Sequence, residues 1–322
     1  MKTNTRAEIL TAAVVLTCMM ASTAMAQQRR GRDRLPTYDT PEAAQEDPDF
    51  SIQGEYTAAE ESESSKAMQV VALGRGTFRV VIYSGGLPGA GWDGTEPEIL
   101  EQVSTEAVQK QAEDLGITRI ERKSPTLGQS APEGAVVLFD GTKESLANWE
   151  SGARITEDGL LMQGVTSKEK FGDYTIHVEF RTPYQPGDRG QQRGNSGIYH
   201  QGRYETQVLD SFGLEGLNNE TGGIYEVSDP KLNMCLPPLV WQTYDVEVTS
   251  AKFNDQGEKT EDARITAKLN GIVVQDNVAV PHVTRAAPVE EGPEPGPIYL
   301  QDHGNPVRFR NVWVVPRKAE AE

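Results

Sequence analysis

Tyr174-Thr175-Ile176-His177-Val178-Glu179-Phe180 is the stretch on which the fold class turns. In an extended chain Tyr174, Ile176, Val178 and Phe180 share one face, and Thr175, His177 and Glu179 share the other. That period of two marks a strand with one buried side. Working outward, the same texture recurs from Gly134 onward. Short β-rich runs at 135–139, 159–163, 196–200, 204–209, 243–249, 264–269, 272–280, 297–301 and 307–315 are separated by Gly, Pro, Asn or Asp. Asn270-Gly271 is a hairpin turn between two of them. About ten short strands without a convincing helix predict an all-β, two-sheet sandwich.

Upstream of the sandwich, residues 50–130 read as a small α+β or β-rich unit. Ala67–Leu73 and Thr77–Tyr83 flank Gly74-Arg75-Gly76 as a hairpin, and Glu98–Leu115 has helical composition, with Gly116 as its stop. The Gly-rich run from Gly85 to Gly94 carries neither phosphate-binding nor dinucleotide-binding spacing, and reads as a structural loop anchored by Trp92. Residues 124–132 read as a linker, 27–49 as a flexible polar leader and 317–322 as a tail. Residues 1–26 have the pattern of an export signal. Lys2 and Arg6 precede the apolar Ile9–Met20 core, and Ala24-Met25-Ala26 offers a cleavage site. The expected location is therefore periplasmic or extracellular. Removal of that segment leaves Cys235 as the sole cysteine, so no intrachain disulfide is expected, and Cys235 reads as a buried structural thiol.

The 322 residues carry a formal charge of −17, with 37% hydrophobic residues. Such a surface repels phosphate backbones, which argues against nucleic-acid binding. The one long apolar run is N-terminal and too short to span a bilayer, so no membrane span is expected.

The densest polar constellation runs from Arg189 to Asp210. By strand parity Arg203, Glu205, Gln207 and Leu209 share one face; Tyr204, Thr206, Val208 and Asp210 share the other. A cation, a carboxyl and an amide in succession suit a polyhydroxylated ligand, but equally describe an exposed face with one cross-strand ion pair. A second constellation is Gln301-Asp302-His303-Gly304-Asn305. His303 is either a structural histidine or a general acid/base, since imidazole titrates near working pH. Trp241 and Tyr244 are either core rings or platforms for a sugar face. His177, His200 and His282 lack metal-ligand spacing, and no G-x-S-x-G elbow is present. No metal or cofactor is invoked.

The ordered set of Leu138-Phe139-Asp140-Gly141 with Trp149, Asn195-Ser196-Gly197-Ile198-Tyr199, Gly202–Ser211, Gly222-Gly223-Ile224-Tyr225, Trp241–Asp245 and Leu300–Asn305 resembles the 3-keto-disaccharide hydrolase domain. The resemblance covers 134–316. It implies a concanavalin-A-like jelly-roll sandwich with a glycan cleft on a concave sheet. It also implies cleavage of glycosides oxidised at C3, typically an oxidised disaccharide. On that chemistry Glu205 and His303 are the candidate acid/base pair, and Arg203 would stabilise an enolate or hold the carboxylate ionised. Asn195, Gln207 and Gln301 would bind hydroxyls, with Trp241 and Tyr244 as stacking rings. Glu226-Val227-Ser228-Asp229 departs from the smaller residues usual there, at the rim of the cleft. The rival reading is a non-catalytic carbohydrate-binding module, because the same architecture hosts lectins.

Overall fold

Alternation in the sequence becomes two facing layers in space. The computed structural model describes residues 35–59 and 65–317. The expected signal segment 1–26 lies outside the described residues, as do 27–34 of the leader and all but Arg317 of the tail.

Thr37 onward is one compact unit. It opens with two short helices, α1 (Pro41–Ala44) and α2 (Pro48–Ile52). Residues 37–49 were expected within a flexible leader. They are ordered instead, because Thr40 and Asp47 cap these helices and Pro follows each cap. Next come β1 (Gly54–Thr57), β2 (Lys66–Gly74), β3 (Thr77–Ser84), β4 (Glu98–Ser104), α3 (Thr105–Leu115) and β5 (Thr118–Ile120), forming one antiparallel sheet in the order β4-β3-β2-β1-β5. The hairpin is as expected. The expected helix over 98–115 is half strand: Glu98–Ser104 pairs with β3, and the helix starts only where Ser104 accepts the N–H of Ala107.

The sandwich comprises β6 (Val136–Phe139), β7 (Leu161–Met162), β8 (Val165–Phe171), β9 (Tyr174–Arg181), β10 (Ser196–His200), β11 (Tyr204–Val208), β12 (Gln242–Thr249), β13 (Lys252–Phe253), β14 (Lys259–Glu261), β15 (Ala263–Leu269), β16 (Ile272–Val280), β17 (Gly296–Leu300) and β18 (Arg308–Pro316). One sheet runs β11-β10-β17-β8. The other runs β16-β15-β12-β9-β18-β6, with β7 also paired to β18, and β13 and β14 form a separate ribbon. Ile176, Val178 and Phe180 of β9 meet Ile198, Tyr204, Val208, Ile298 and Leu300 of the smaller sheet in a core sealed from water. Each such side chain contributes about 1.5–3 kcal/mol relative to exposure. Cys235 is buried, and burial pushes its thiol up to about 12. Among the described residues no helix is long and apolar enough to cross a membrane.

The outer face of β9 is polar yet dry, because the segment expected as a linker straps it. Gly128 donates its N–H to Glu179 at 2.6 Å, Thr126 donates to Asp245 at 2.9 Å, and Trp313 and Asn311 donate to the carbonyl of Gln129. Beneath the strap His177 stacks on Trp313 and touches Asp245 at 2.7 Å, with Glu179 3.6 Å from its other nitrogen. Burial disfavours the imidazolium of His177, but the carboxylates of Asp245 and Glu179 outweigh it and raise its pKa. A group held more basic in the folded state stabilises fully below its unfolded value of about 6.5. It loses that contribution as pH rises through the folded value. Thermal unfolding of the wild type and His177→Gln from about pH 6 to about pH 9 reads this directly. The gap between the two midpoints is expected to narrow with rising pH; a widening gap would refute the clasp.

Candidate active site

The outward face of the smaller sheet carries the polar residues singled out by parity. Ser196–His200 and Tyr204–Val208 pair as a hairpin, with Tyr199 opposite Glu205 and Gly197 opposite Gln207. Ile198, Tyr204 and Val208 point into the core, so Tyr199, Glu205 and Gln207 point out of it. The segment 223–225 runs along the free edge of β11: Gln207 donates to the carbonyl of Gly223, and Tyr225 donates to that of Glu205. This brings Tyr225 beside Glu205. From the other side, Gln301 donates its N–H to the carbonyl of Gly197, carrying the 301–305 turn to the same place. Asn305 fixes that turn, accepting the N–H of Asn195 at 3.0 Å and donating to Gln185 and to the carbonyl of Gln192.

The result is a cavity of about 300 Å³ lined by Gln191, Asn195, Tyr199, Glu205, Gln207, Tyr225, Arg285, Ala286, Gln301 and His303. Five of the residues singled out from the sequence, Glu205, His303, Asn195, Gln207 and Gln301, are thereby brought together. His303 stands exposed at the mouth, while Glu205 is 2% exposed at the floor.

The position of Glu205 depends on a missing side chain. A Cβ placed on Gly197 would lie 1.9 Å from the Oε1 of Glu205, so the carboxyl lies flat across the neighbouring strand where only glycine leaves room. Burial raises its pKa to about 8; the neighbouring Tyr199 hydroxyl opposes this, and the charge of Glu226 adds to it. Tyr199 donates its own proton to the carbonyl of Arg285 at 2.8 Å and accepts from Gln301 at 3.2 Å. Burial, then the charge of Glu205, raises the phenol's pKa far above its ordinary value. The amides form a linked set. Asn195 donates to Gln191, and Gln207 donates to the same Gln191 oxygen at 3.1 Å. Asn195 Oδ1 is sealed from solvent and accepts from no donor among the described residues.

Three assignments made from the sequence fail on geometry. Arg203 does not line the cavity. It lies in the hairpin turn ahead of β11, where parity no longer holds, and donates to the carbonyls of Glu290 at 2.8 Å and Glu294 at 2.9 Å. With Thr284 bonded to its backbone, Arg203 anchors the loop that carries Arg285. Tyr244 is a core ring rather than a platform, because it pairs with the inward-facing Val178. Its hydroxyl ties Gln207 to Gly222, accepting the Gly222 N–H at 2.6 Å and donating to the Gln207 carbonyl at 2.7 Å. Trp241 lies away from this cavity, with the guanidiniums of Arg310 and Arg181 over its ring at 4.0 and 5.0 Å. Conversely Gln191, Tyr199, Tyr225 and Arg285 were not assigned from the sequence. Tyr199 was within reach, since it shares strand parity with Gly197 and stands opposite Glu205. Arg285 pairs with Glu226 at 3.4 Å on the exposed rim that the sequence marked as unusual.

A buried carboxyl, a histidine, two tyrosines and a ring of amides on the outer face of a two-sheet sandwich define a polar cleft of the kind that takes hydroxylated ligands. The chain belongs to the 3-keto-alpha-glucoside-1,2-lyase-like domain family, whose profile matches residues 134–315. It is similar to a provisionally named glycosyl hydrolase from Parabacteroides distasonis with a crystal structure at 2.13 Å. The two are 33% identical over 58% of this chain and 86% of that one, with a TM-score of 0.54. A second provisionally named glycosyl hydrolase from that organism, at 1.70 Å, is 21% identical over 58% of this chain and 95% of that one, with a TM-score of 0.42. No curated protein matches the chain.

Gly197→Ala is expected to expel the Glu205 carboxyl into water while the strand pairing survives, because the obstructed atom is the far end of a flexible side chain. Carbon-detected NMR titration should then show the pKa of Glu205 falling toward the ordinary value of about 4.3. An unchanged titration would mean that the carboxyl does not depend on that glycine.

Proposed function

We propose that this protein is a glycoside-cleaving enzyme acting on glycosides whose sugar carries a ketone at C3. The observation that carries the reading is the placement of a proton-bearing carboxyl, Glu205, and an imidazole, His303, on one cavity surrounded by amide groups. The family match and the name of the similar Parabacteroides protein support the broader class of glycoside-cleaving enzymes.

The chemistry follows from the ketone. A carbonyl at C3 acidifies the hydrogen on C2. His303, exposed at the cavity mouth, takes that proton and leaves an enolate. The enolate collapses, the C1–O bond breaks, and Glu205 supplies a proton to the departing oxygen. Water adds across the C1–C2 double bond, so the sum is hydrolysis. The route needs one base, one acid and donors near the enolate oxygen, and it does not need the flanking carboxylate pair of ordinary glycosidases. A pKa of about 8 makes Glu205 the acid rather than the base near neutrality, because most of it holds its proton there. Gln301 keeps one side-chain N–H beyond its bond to Tyr199 and can offer it to an oxygen of the sugar, while Gln207 gives both of its own to Gln191 and the carbonyl of Asn219 and so shapes the wall. The proposal also places the enzyme outside the cytoplasm, which rests on the 1–26 pattern alone.

Purified protein supplied with a 3-keto-glucoside and with its unoxidised parent is expected to release aglycone from the first only. Equal release from both removes the ketone from the mechanism, and saturable binding without product returns the protein to the non-catalytic class. Glu205→Gln keeps the shape and removes the proton, and is expected to cost at least about 100-fold in kcat. In the wild type kcat/KM should fall as pH rises through about 8, where Glu205 loses its proton. That alkaline limb should be absent from the residual activity of Glu205→Gln.

A further inference from the structure

Trp241, displaced from the candidate active site, lines a second and larger cavity of about 580 Å³ between the N-terminal sheet and the sandwich. Its walls hold four cationic side chains, Arg119, Arg122, Lys123 and Arg181, in a chain whose net charge is −17. Arg122 is spoken for, paired with the buried Glu55 and donating to the carbonyl of Pro88. The other three have no carboxylate within ion-pair distance among the described residues. Arg119 donates only to the carbonyl of Gln53. Arg181 is 7% exposed, its Nη2 donates to the carbonyl of Asp39, and its Nε has no acceptor. Asp39, Glu42 and Asp158 act on Arg181 only from a distance, and Arg308 adds a like charge beside it. Glu121, exposed on the wall, is the cavity's one carboxyl without a partner among the described residues.

A guanidinium taken out of water without a counter-ion is costly, and its planar fork matches a carboxylate. The remaining lining says what else the ligand carries. Phe50, Leu127 and Pro237 give apolar walls, while Gln45 and Ser51 give groups that bond hydroxyls. The volume is far more than one inorganic ion fills and lies in the range of small-molecule sites. We propose that this cavity binds a carboxylate-bearing sugar, with Arg119, Lys123 and Arg181 facing the acid group and the edge of Trp241 beside the ring. The site is separate from the cavity of Glu205 and His303, shares no lining residue with it, and does not rest on the reaction proposed above.

Calorimetric titration of the whole protein with digalacturonate, cellobiose and inorganic phosphate tests the proposal. Digalacturonate should bind, more weakly as salt is raised, and neither the neutral disaccharide nor phosphate should match it. Arg119 and Lys123 are exposed, so reversing both (Arg119→Glu with Lys123→Glu) should leave the thermal midpoint in place while weakening binding roughly tenfold or more. Arg181→Lys, which keeps charge but loses the fork, should weaken it independently. Three results would overturn the proposal: no binding of digalacturonate, binding untouched by the double reversal, or phosphate bound as tightly as the sugar acid.

Discussion

A carboxyl group withdrawn from water with no cation beside it keeps its proton, and the candidate site is arranged around that constraint. Glu205 lies across Gly197, under Tyr199 and Tyr225, and the one charge that acts on it appreciably is the like charge of Glu226. Arg203 stands two residues away in the sequence, yet its guanidinium is committed to the carbonyls of Glu290 and Glu294. Were that arginine turned to the carboxyl, Glu205 would be an ordinary ion-pair partner with no proton to give. The fold keeps the two apart by leaving Arg203 in the turn, tied to the 290–294 loop, while Glu205 is already on the strand.

Glu179 shows the opposite choice with the same residue type. Both glutamates are all but sealed from solvent. Burial works against the charge of Glu179 too, but His177, Asn311, Arg310 and the N–H of Gly128 surround it and hold it down to about 2. One carboxyl is a permanent anion that binds the strap 124–129 to the larger sheet. The other is a neutral acid in a cleft. Burial is common to both, so the neighbours decide.

Much of this was legible in the sequence. Alternation in 174–181 set the sheet architecture, and parity in 204–208 put Glu205 and Gln207 on one outward face. The ordered motifs joined 301–305 to that face. What stayed hidden had physical causes. Parity was carried one residue too far, to Arg203, because the turn at Gln201-Gly202 is invisible to a count of two. Tyr244 and Trp241 were read without knowing their partners; pairing with Val178 turns the first inward, and Arg181 and Arg310 hold the second. Edge strand β8, Val-Thr-Ser-Lys-Glu-Lys-Phe, has charges where alternation would be sought, as edges do. The caps at Thr40, Asp47 and Ser104 were readable signals, masked by the acidic composition around the first two and by the helical composition upstream of the third.

The N-terminal unit is also less independent than its composition suggests. Its core of Met68, Val70, Phe78, Val80 and Val108 is completed by Tyr184 and Leu239, which belong to loops of the sandwich. Tyr184 stacks on Tyr38 and tilts against Phe50, and backbone bonds join Tyr38 and Tyr184 in both directions. During synthesis this unit therefore emerges with a hole in its interior that stays open until more than a hundred further residues have been made. Recombination that exchanged either part alone, with the junction near residue 130, would separate a socket from its plug, so the two are bound to be inherited together.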